Sequence, residues 1–99
     1  MTWNWTVLDA GRFALDGGSM FGVVPKALWS KLVKPDTQNR IPEACNCVLL
    51  ERDGERVLVE TGFGDGWSEK EVDMFSMNGV TILDVLKEND IDPESICTV

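Results

Sequence analysis

Apolar and polar residues alternate near the start of the chain and predict strands that are buried on one face. Trp3, Trp5 and Val7 are separated by polar residues, which is the two-residue period of a strand. A second short strand is predicted over residues 12–15, and a turn near residues 9–11 joins the two. The first strand, over residues 3–8, is therefore predicted to be half-buried.

The clearest pair of strands is a β-hairpin that turns at Asp53-Gly54. Asp-Gly is the preferred type I′ pair, and it joins strands predicted over residues 45–52 and 55–60. Three apolar residues in succession, 57–59, predict that the second strand is covered on both faces. The turn fixes a register of two oppositely charged pairs and two apolar pairs: Arg52 with Glu55, Glu51 with Arg56, Leu50 with Val57, and Leu49 with Leu58.

Helical spacing and capping residues predict three helices. The first covers residues 25–33 and follows an apolar loop over residues 19–24. The second opens at Ser68 and the third at Thr81, each with an acid three residues later that completes a capping box. Residues 96–99 then begin another buried strand. Four residues make up the apolar face of the first helix: Leu28, Trp29, Leu32 and Val33.

The composition fits one globular domain in a reducing compartment. The chain has 99 residues, of which 43% are apolar, a net charge of −8 and three cysteines. The acidic charge argues against binding to nucleic acid or to anionic membranes, because a phosphate-binding surface needs basic residues. An odd number of cysteines fits a reducing compartment better than a disulfide framework, and neither a signal peptide nor a membrane-spanning run is found. We therefore predict a cytoplasmic protein.

Histidine is absent from the chain, which limits the chemistry that it can perform. Cys45 and Cys47 lie on one face of their strand, and with Cys97 they offer three thiols for a metal ion. The competing interpretation is that these are ordinary buried apolar residues, and we favour it because no histidine supplies a fourth ligand. A catalytic cysteine is disfavoured for a similar reason, since no histidine can activate it.

Three acids border predicted strands beside glycines: Asp16, Glu60 and Asp65. Such acids can act as general bases or bind a hard cation, but they more commonly accept hydrogen bonds from loop N–H groups, which is the role we favour. Gly62 and Gly64 stop the preceding strand and let the backbone turn sharply close to another segment. This loop lacks the lysine of a phosphate-binding loop.

Met20 and Phe21 stand in the apolar loop, and three roles are open for them. With Trp29 they could line a pocket for an apolar substrate, or all three could belong to the core, which is the commoner outcome. The third role belongs to a different class of function, a small non-catalytic α/β module. Its acidic surface and its apolar loop at Met20 and Phe21 would contact a protein partner.

Several segments together resemble the N-terminal part of a metallo-β-lactamase-fold hydrolase. They are LDGGSMFGVVPKALW (residues 15–29), NRI (39–41), the hairpin leading to VETGFGD, and ENDIDPESICTV at the end of the chain. The branch that they resemble most includes quorum-quenching lactonases of the N-acyl-homoserine-lactone type, with related esterases and organophosphate hydrolases. The resemblance extends from about residue 5 to residue 99.

This resemblance implies a fold, a cofactor and a reaction. The implied fold is an αββα sandwich with a mixed, largely antiparallel sheet and flanking helices, in which residues 1–99 form a single incomplete, N-terminal portion. Zinc in that family is held chiefly by an H-x-H-x-D-H motif after the strand that begins here at Ile96, and a metal-bound hydroxide attacks an ester or lactone. This chain lacks the motif, so we expect it to hold no cofactor and no catalytic or metal-binding residue of its own.

The resemblance also implies roles for the candidate residues. Met20 and Phe21 would contribute to the wall that binds the acyl group of the substrate. Glu60 stands where the family usually has an aspartate that supports the metal loop. The residues assigned to supporting, structural roles are four: Asp16, Glu60, Gly62 and Asp65.

We therefore expect the chain to be inactive by itself. One face of its sheet, around Val48, Leu50, Val57 and Val59, would lack a partner layer, which predicts marginal folding. The sequence leaves two alternatives for a binding partner: a complementing C-terminal segment and a further copy of this chain.

Overall fold

The computed structural model describes residues 2–99 and contains a three-stranded antiparallel sheet with short helices. The strands lie in the order β1-β2-β3, so the chain is a small α+β protein. None of the helices within residues 2–99 is long and apolar enough to cross a membrane. The elements follow the chain as β1 (Asn4–Asp16), α1 (Gly17–Phe21), α2 (Lys26–Trp29), β2 (Arg40–Arg52), β3 (Glu55–Val59), α3 (Glu69–Met74), α4 (Ile82–Glu88) and a 3₁₀ turn at Pro93–Ser95.

The hairpin between β2 and β3 has the predicted register, and all four predicted pairs form. Asp53 and Gly54 have φ angles of 48° and 80°, as a type I′ turn requires. The two charged pairs form ion pairs, with Arg56 Nε 3.0 Å from Glu51 Oε2. Both pairs are partly solvated, so each contributes at most about 1 kcal/mol. The register of this hairpin is therefore fixed mainly by its turn and its apolar pairs.

The first strand differs from the prediction, because one long strand replaces two short ones. β1 pairs with β2 along its whole length, and the pairing register shifts between Asp9 and Arg12. Gly11 adopts a φ angle of 138°, and its N–H donates to Asp9 Oδ1 at 3.3 Å. A glycine in that region accommodates the extra residue of a β-bulge without ending the strand. The glycine that was interpreted as a turn thus marks a bulge.

The two faces of the sheet have different surroundings. On the covered face, Leu8, Cys47, Leu49 and Leu58 pack with Ala10 against Val85 and Leu86 of α4, and this cluster is the core. The opposite face, which we call the open face, has two rows of apolar residues that the strand pairing places side by side: Trp5-Leu50-Val57 and Val7-Val48-Val59.

The open face is largely accessible to solvent. Trp5 is 69% exposed, Val7 51% and Val59 49%, whereas Val48, Leu50 and Val57 are half-buried. The prediction that β3 is covered on both faces is therefore wrong in this structure. Leu58 alone of the run at residues 57–59 is fully buried.

The two helices predicted from capping boxes begin as expected, but the helix predicted over residues 25–33 is shorter than expected. Ser68 and Thr81 both form complete capping boxes, which open α3 and α4. α2 covers only one turn, and only Trp29 of its predicted apolar face is buried. Leu28 and Leu32 point to solvent. Helical spacing identified an apolar stripe, but it gave no indication that Leu28 and Leu32 have no surface to pack on.

The last residues of the chain begin a further strand beside β3. Thr98 forms a parallel bridge with Val57, and its carbonyl accepts the N–H of Leu58 at 2.9 Å. The N–H of Cys97 donates to the Arg56 carbonyl at 3.0 Å. Of the predicted strand over residues 96–99, the structure shows this single parallel bridge beside β3.

Candidate functional site

Asp16 closes β1 and starts the segment of residues 17–39, which we call the limb. Its Oδ2 accepts the N–H of Ser19 at 3.0 Å, and its Oδ1 accepts the Asn39 side-chain amide at 3.0 Å. The Gly17 N–H donates to the Asn39 carbonyl at 2.7 Å. Because Asp16 caps the Ser19 N–H, residues 17–21 form a short helix where a loop over 19–24 was predicted. Asp16 therefore ties the two ends of the limb together.

Two hydrogen bonds hold the pKa of Asp16 below its ordinary value of 3.8. The one from the Asn39 side-chain amide has the larger effect, and the one from the Ser19 N–H adds to it. A carboxyl whose pKa is lower in the folded state contributes stability above its unfolded pKa and loses it as the pH falls through the folded value. We expect stability to fall below about pH 4 more steeply in the wild type than in Asp16→Asn, which keeps the capping oxygen but does not titrate. Urea unfolding at pH 6 and pH 3 measures this difference, and parallel losses in the two proteins would contradict it.

The two predicted substrate contacts, Met20 and Phe21, have different surroundings in the structure. The Phe21 ring stacks on Trp29, with centroids 5.1 Å apart and planes 6° from parallel. Trp29 is buried against Gly17, where an added Cβ would lie 2.2 Å from the Trp29 ring. Met20, on the neighbouring position of α1, is about half-exposed. Phe21 and Trp29 therefore pack inside the limb, and Met20 is the member of this group that a ligand can reach.

Glu60 and Gly62 follow β3 and lie beside a different part of the sheet. Glu60 has a φ angle of 72°, unusual for a residue with a side chain, and its Oε1 accepts the Thr61 N–H at 3.2 Å. Gly62 has a φ of 71°, and an added Cβ would lie 3.3 Å from Ala10 and 3.6 Å from the Cβ of Cys45. The loop can approach the strands this closely because position 62 has no side chain.

A cleft of about 280 Å³ lies between this loop and the sheet, and Glu60, Cys45 and Cys47 line it. Burial raises the pKa of the Cys45 thiol, although the Phe63 N–H acts against that rise, and burial also raises the pKa of the Cys47 thiol. Both thiols are therefore protonated at neutral pH and are poor nucleophiles. The cleft combines a carboxylate with unreactive thiols, which does not form a pair of nucleophile and base.

The three cysteines do not meet. Cys97 is exposed, and its thiol donates to the Arg56 carbonyl at 3.0 Å at the other edge of the sheet. Between residues 2 and 99, no group of three or more His, Cys, Asp or Glu side chains is placed to hold a metal ion. The donors present do not fit a zinc site, which needs at least three protein ligands around one point.

A row of aromatic rings, which the sequence did not predict, connects the loop to β1 and α3. Phe63 contacts Phe13 edge-to-face at 4.6 Å and Trp67 at 5.6 Å, and Trp67 contacts Phe75 at 6.5 Å. Asp65, in the same loop, lines a smaller apolar cleft of about 110 Å³ beside Trp67. The only local signal for this row was Phe63 itself, an aromatic residue between two glycines.

Apart from Asp65, which lines the cleft beside Trp67, the candidate residues fall into two groups that do not form one site in this chain. Met20 and Phe21 belong to the limb, and Asp16 lies where the limb begins, as the cross-strand neighbour of Arg40 at the start of β2. Cys45, beside Glu60 and Gly62, lies five residues further along β2, which is roughly 17 Å at about 3.4 Å per residue. Each group organises its own loop, and neither assembles a catalytic constellation.

The sheet, its covering helix and the loop after β3 define a small α+β protein with a hydrolase-like fold. The structure of a probable metal-dependent hydrolase from Staphylococcus aureus matches 95% of this chain, with a TM-score of 0.85 and 31% sequence identity. This chain spans 35% of the length of that protein. The sequence matches no protein-family model and no curated protein. The structural match supports a hydrolase-like family for the chain.

Proposed function

We propose that this chain is the N-terminal part of a metal-dependent hydrolase domain of the metallo-β-lactamase type, from the lactonase-like branch. The observation that carries the proposal is the match over 95% of the chain to a probable metal-dependent hydrolase of which the chain spans only 35%. The absence of histidine and of a donor cluster in residues 2–99 is consistent with metal ligands that lie in another part of such a domain. The second sheet of the αββα sandwich belongs to that other part.

In this proposal the chain supplies scaffold and substrate contacts. Gly62 lets the loop after β3 pack against the strands, and Glu60 holds the start of that loop through the Thr61 N–H. Asp16 fixes the limb, and the stack of Phe21 on Trp29 positions α1. The half-exposed side chain of Met20 is then available for the acyl group of an ester or lactone.

Zinc binding by the chain alone tests the first part of this proposal. We expect purified chain, dialysed against zinc and assayed by metal analysis, to retain less than about 0.1 zinc per chain, because a structural or catalytic site needs at least three ligands. A Cys97→Ser variant controls for weak binding by the exposed thiol. Tight binding of one zinc per chain, retained in that variant, would contradict the proposal.

A chimera tests the second part. This chain replaces the matching segment of the S. aureus hydrolase, and metal content and hydrolysis of a panel of esters and lactones are measured. We expect a metal-loaded, active chimera in which Met20→Ala raises KM for long-chain acyl lactones by about 3- to 10-fold, as loss of a partly buried methionine contact predicts. Short-chain substrates serve as the matched control. An inactive chimera, or a Met20→Ala chimera with unchanged KM for every substrate, counts against a lactonase-like function.

A further inference from the structure

The outer edge of β1 is covered along one half and uncovered along the other. Beyond the bulge, Arg12 and Ala14 form backbone hydrogen bonds of 3.0 and 2.6 Å with the segment that follows α3. Before the bulge, residues 4–9 pair with β2 on one side. On their other side, no segment within residues 2–99 forms a backbone hydrogen bond with them. We call this uncovered half, residues 4–9, the free edge.

The hairpin register shows which backbone groups face the free edge. A two-residue turn makes the residues on either side of it a hydrogen-bonded pair, so along β2 every second residue bonds to β3 and the residues between bond to β1. Leu49 bonds to β1, where its partner is Thr6. The N–H and C=O groups of Thr6 therefore point toward β2. Those of Trp5 and Val7, one position away on each side, point outward and have no protein partner.

The sequence at the free edge lacks the features that keep strand edges apart. Residues 2–8, TWNWTVL, contain no lysine, no proline and no charge, and they are rich in aromatic and β-branched side chains. Such an edge readily accepts a further strand. Asp9, the one acid of the free edge, is already paired with Arg12 at 2.8 Å.

A second copy of this chain is the partner that the free edge fits. Two identical edges related by a two-fold axis run antiparallel, and each outward N–H then meets an outward C=O of the other copy. With the axis beside Thr6, the two Thr6 side chains face each other, and Trp5 of one copy lies opposite Val7 of the other. Pairs of threonines and pairs of an aromatic with a β-branched residue both stabilise neighbouring strands.

The net charge of −8 does not oppose this contact strongly, because residues 2–8 are uncharged. The Asp9 carboxylates of the two copies would lie about six residues apart along the paired strands, or roughly 20 Å. Physiological salt screens charges that are separated by more than about 8 Å. The repulsion between the two chains is therefore weak where they meet.

We propose that two copies of this chain pair antiparallel along their free edges, with the two-fold axis beside Thr6, and so join their two sheets into one continuous sheet. The contact consists of backbone hydrogen bonds and leaves the open face in water. It uses no residue of the candidate site, so it is independent of the proposed function.

Cysteine cross-linking tests the register of this dimer. A Cys97→Ser background removes the exposed native thiol. In it, Thr6→Cys would place two thiols at a non-hydrogen-bonded pair, where the Cα atoms lie about 4.5 Å apart, within reach of a disulfide. We expect mild oxidation to convert most of this variant to a covalent dimer. Asn4→Cys is the matched control, because it is equally exposed in the free chain but would lie about 14 Å from its copy.

Sedimentation measures the association itself. Val7→Pro removes an outward N–H and leaves the hydrogen bonds between β1 and β2 intact, as prolines on edge strands do. We expect it to weaken dimerisation by at least about tenfold, because each dimer loses two hydrogen bonds. Val7→Lys repeats the test with a side chain that protects natural edge strands, in case the proline variant does not fold. Val59→Lys is the control, since it changes the open face away from the free edge and should dimerise like wild type.

Three outcomes would overturn the proposal. The wild-type chain could sediment as a monomer even at the concentrations used for NMR. Thr6→Cys and Asn4→Cys could cross-link equally, which would indicate random collision. A dimer that Val59→Lys dissociates, and that Val7→Pro does not, would show that two copies meet through their open faces instead.

Discussion

Replacement of Gly17 by alanine is expected to lower the free energy of unfolding by about 3 kcal/mol, a large part of the roughly 5–15 kcal/mol that holds a small domain folded. An added Cβ would lie 2.2 Å from the Trp29 ring, with two further ring atoms at 2.8 Å. Gly17 is held by its hydrogen bond to the Asn39 carbonyl, so the backbone cannot move away without losing that bond. The Trp29 ring must therefore leave its buried position, and the stack with Phe21 would be lost.

Gly66→Ala is the matched control, because an added Cβ there meets no atom within 4 Å and the backbone has no strained φ angle. Urea unfolding followed by far-ultraviolet circular dichroism measures both variants. We expect the Gly66→Ala midpoint to stay close to that of the wild type. Equal midpoints for the two variants would show that Trp29 is not anchored against Gly17 in solution.

The parts of the fold that the sequence predicted are those that local chemistry determines. The Asp53-Gly54 turn sets the hairpin register, and the boxes at Ser68 and Thr81 set two helix starts, because each signal lies within four residues of its effect. Gly11 was misinterpreted because a bulge and a turn have the same local composition. A bulge forms when β1 continues to pair with β2 beyond Gly11, and a turn forms when it does not.

Burial was the least predictable property, because it depends on residues distant in sequence. The run at residues 57–59 is equally apolar at all three positions, yet only Leu58 has α4 over its face. The Phe13–Phe63 contact joins residues 50 positions apart, and no local pattern encodes it. In the candidate site, Gly62 and Gly64 were both predicted to let the loop pass close to another segment. An added Cβ at Gly62 would lie 3.3 Å from Ala10, as that prediction requires, whereas one at Gly64 would meet no atom within 4 Å. The division of the candidate residues into two groups was not predicted.

Leu58 and Val59 are consecutive residues on β3, and replacement by lysine is expected to unfold the chain at Leu58 but to leave its stability nearly unchanged at Val59. Leu58 is 3% exposed in the core with Leu49 and Leu86. Leu58→Lys would place an unpaired ammonium there, at a cost on the order of 4 kcal/mol or more, and we expect this variant not to fold. Val59→Lys puts the same charge on the open face, where water solvates it, so the free energy of unfolding should change by less than about 0.5 kcal/mol.

Circular dichroism spectra and urea midpoints of the two lysine variants distinguish a sheet with one covered face from a sheet with two. If the free chain covered its open face by rearrangement or by pairing with another copy, Val59→Lys would destabilise it nearly as much as Leu58→Lys, because both side chains would then be buried. If the Val59→Lys variant folds and the Leu58→Lys variant does not, then α4 and its neighbours cover only one face of the sheet. The apolar residues on the other face then contribute little to the stability of the free chain, since burial from water is the source of that contribution.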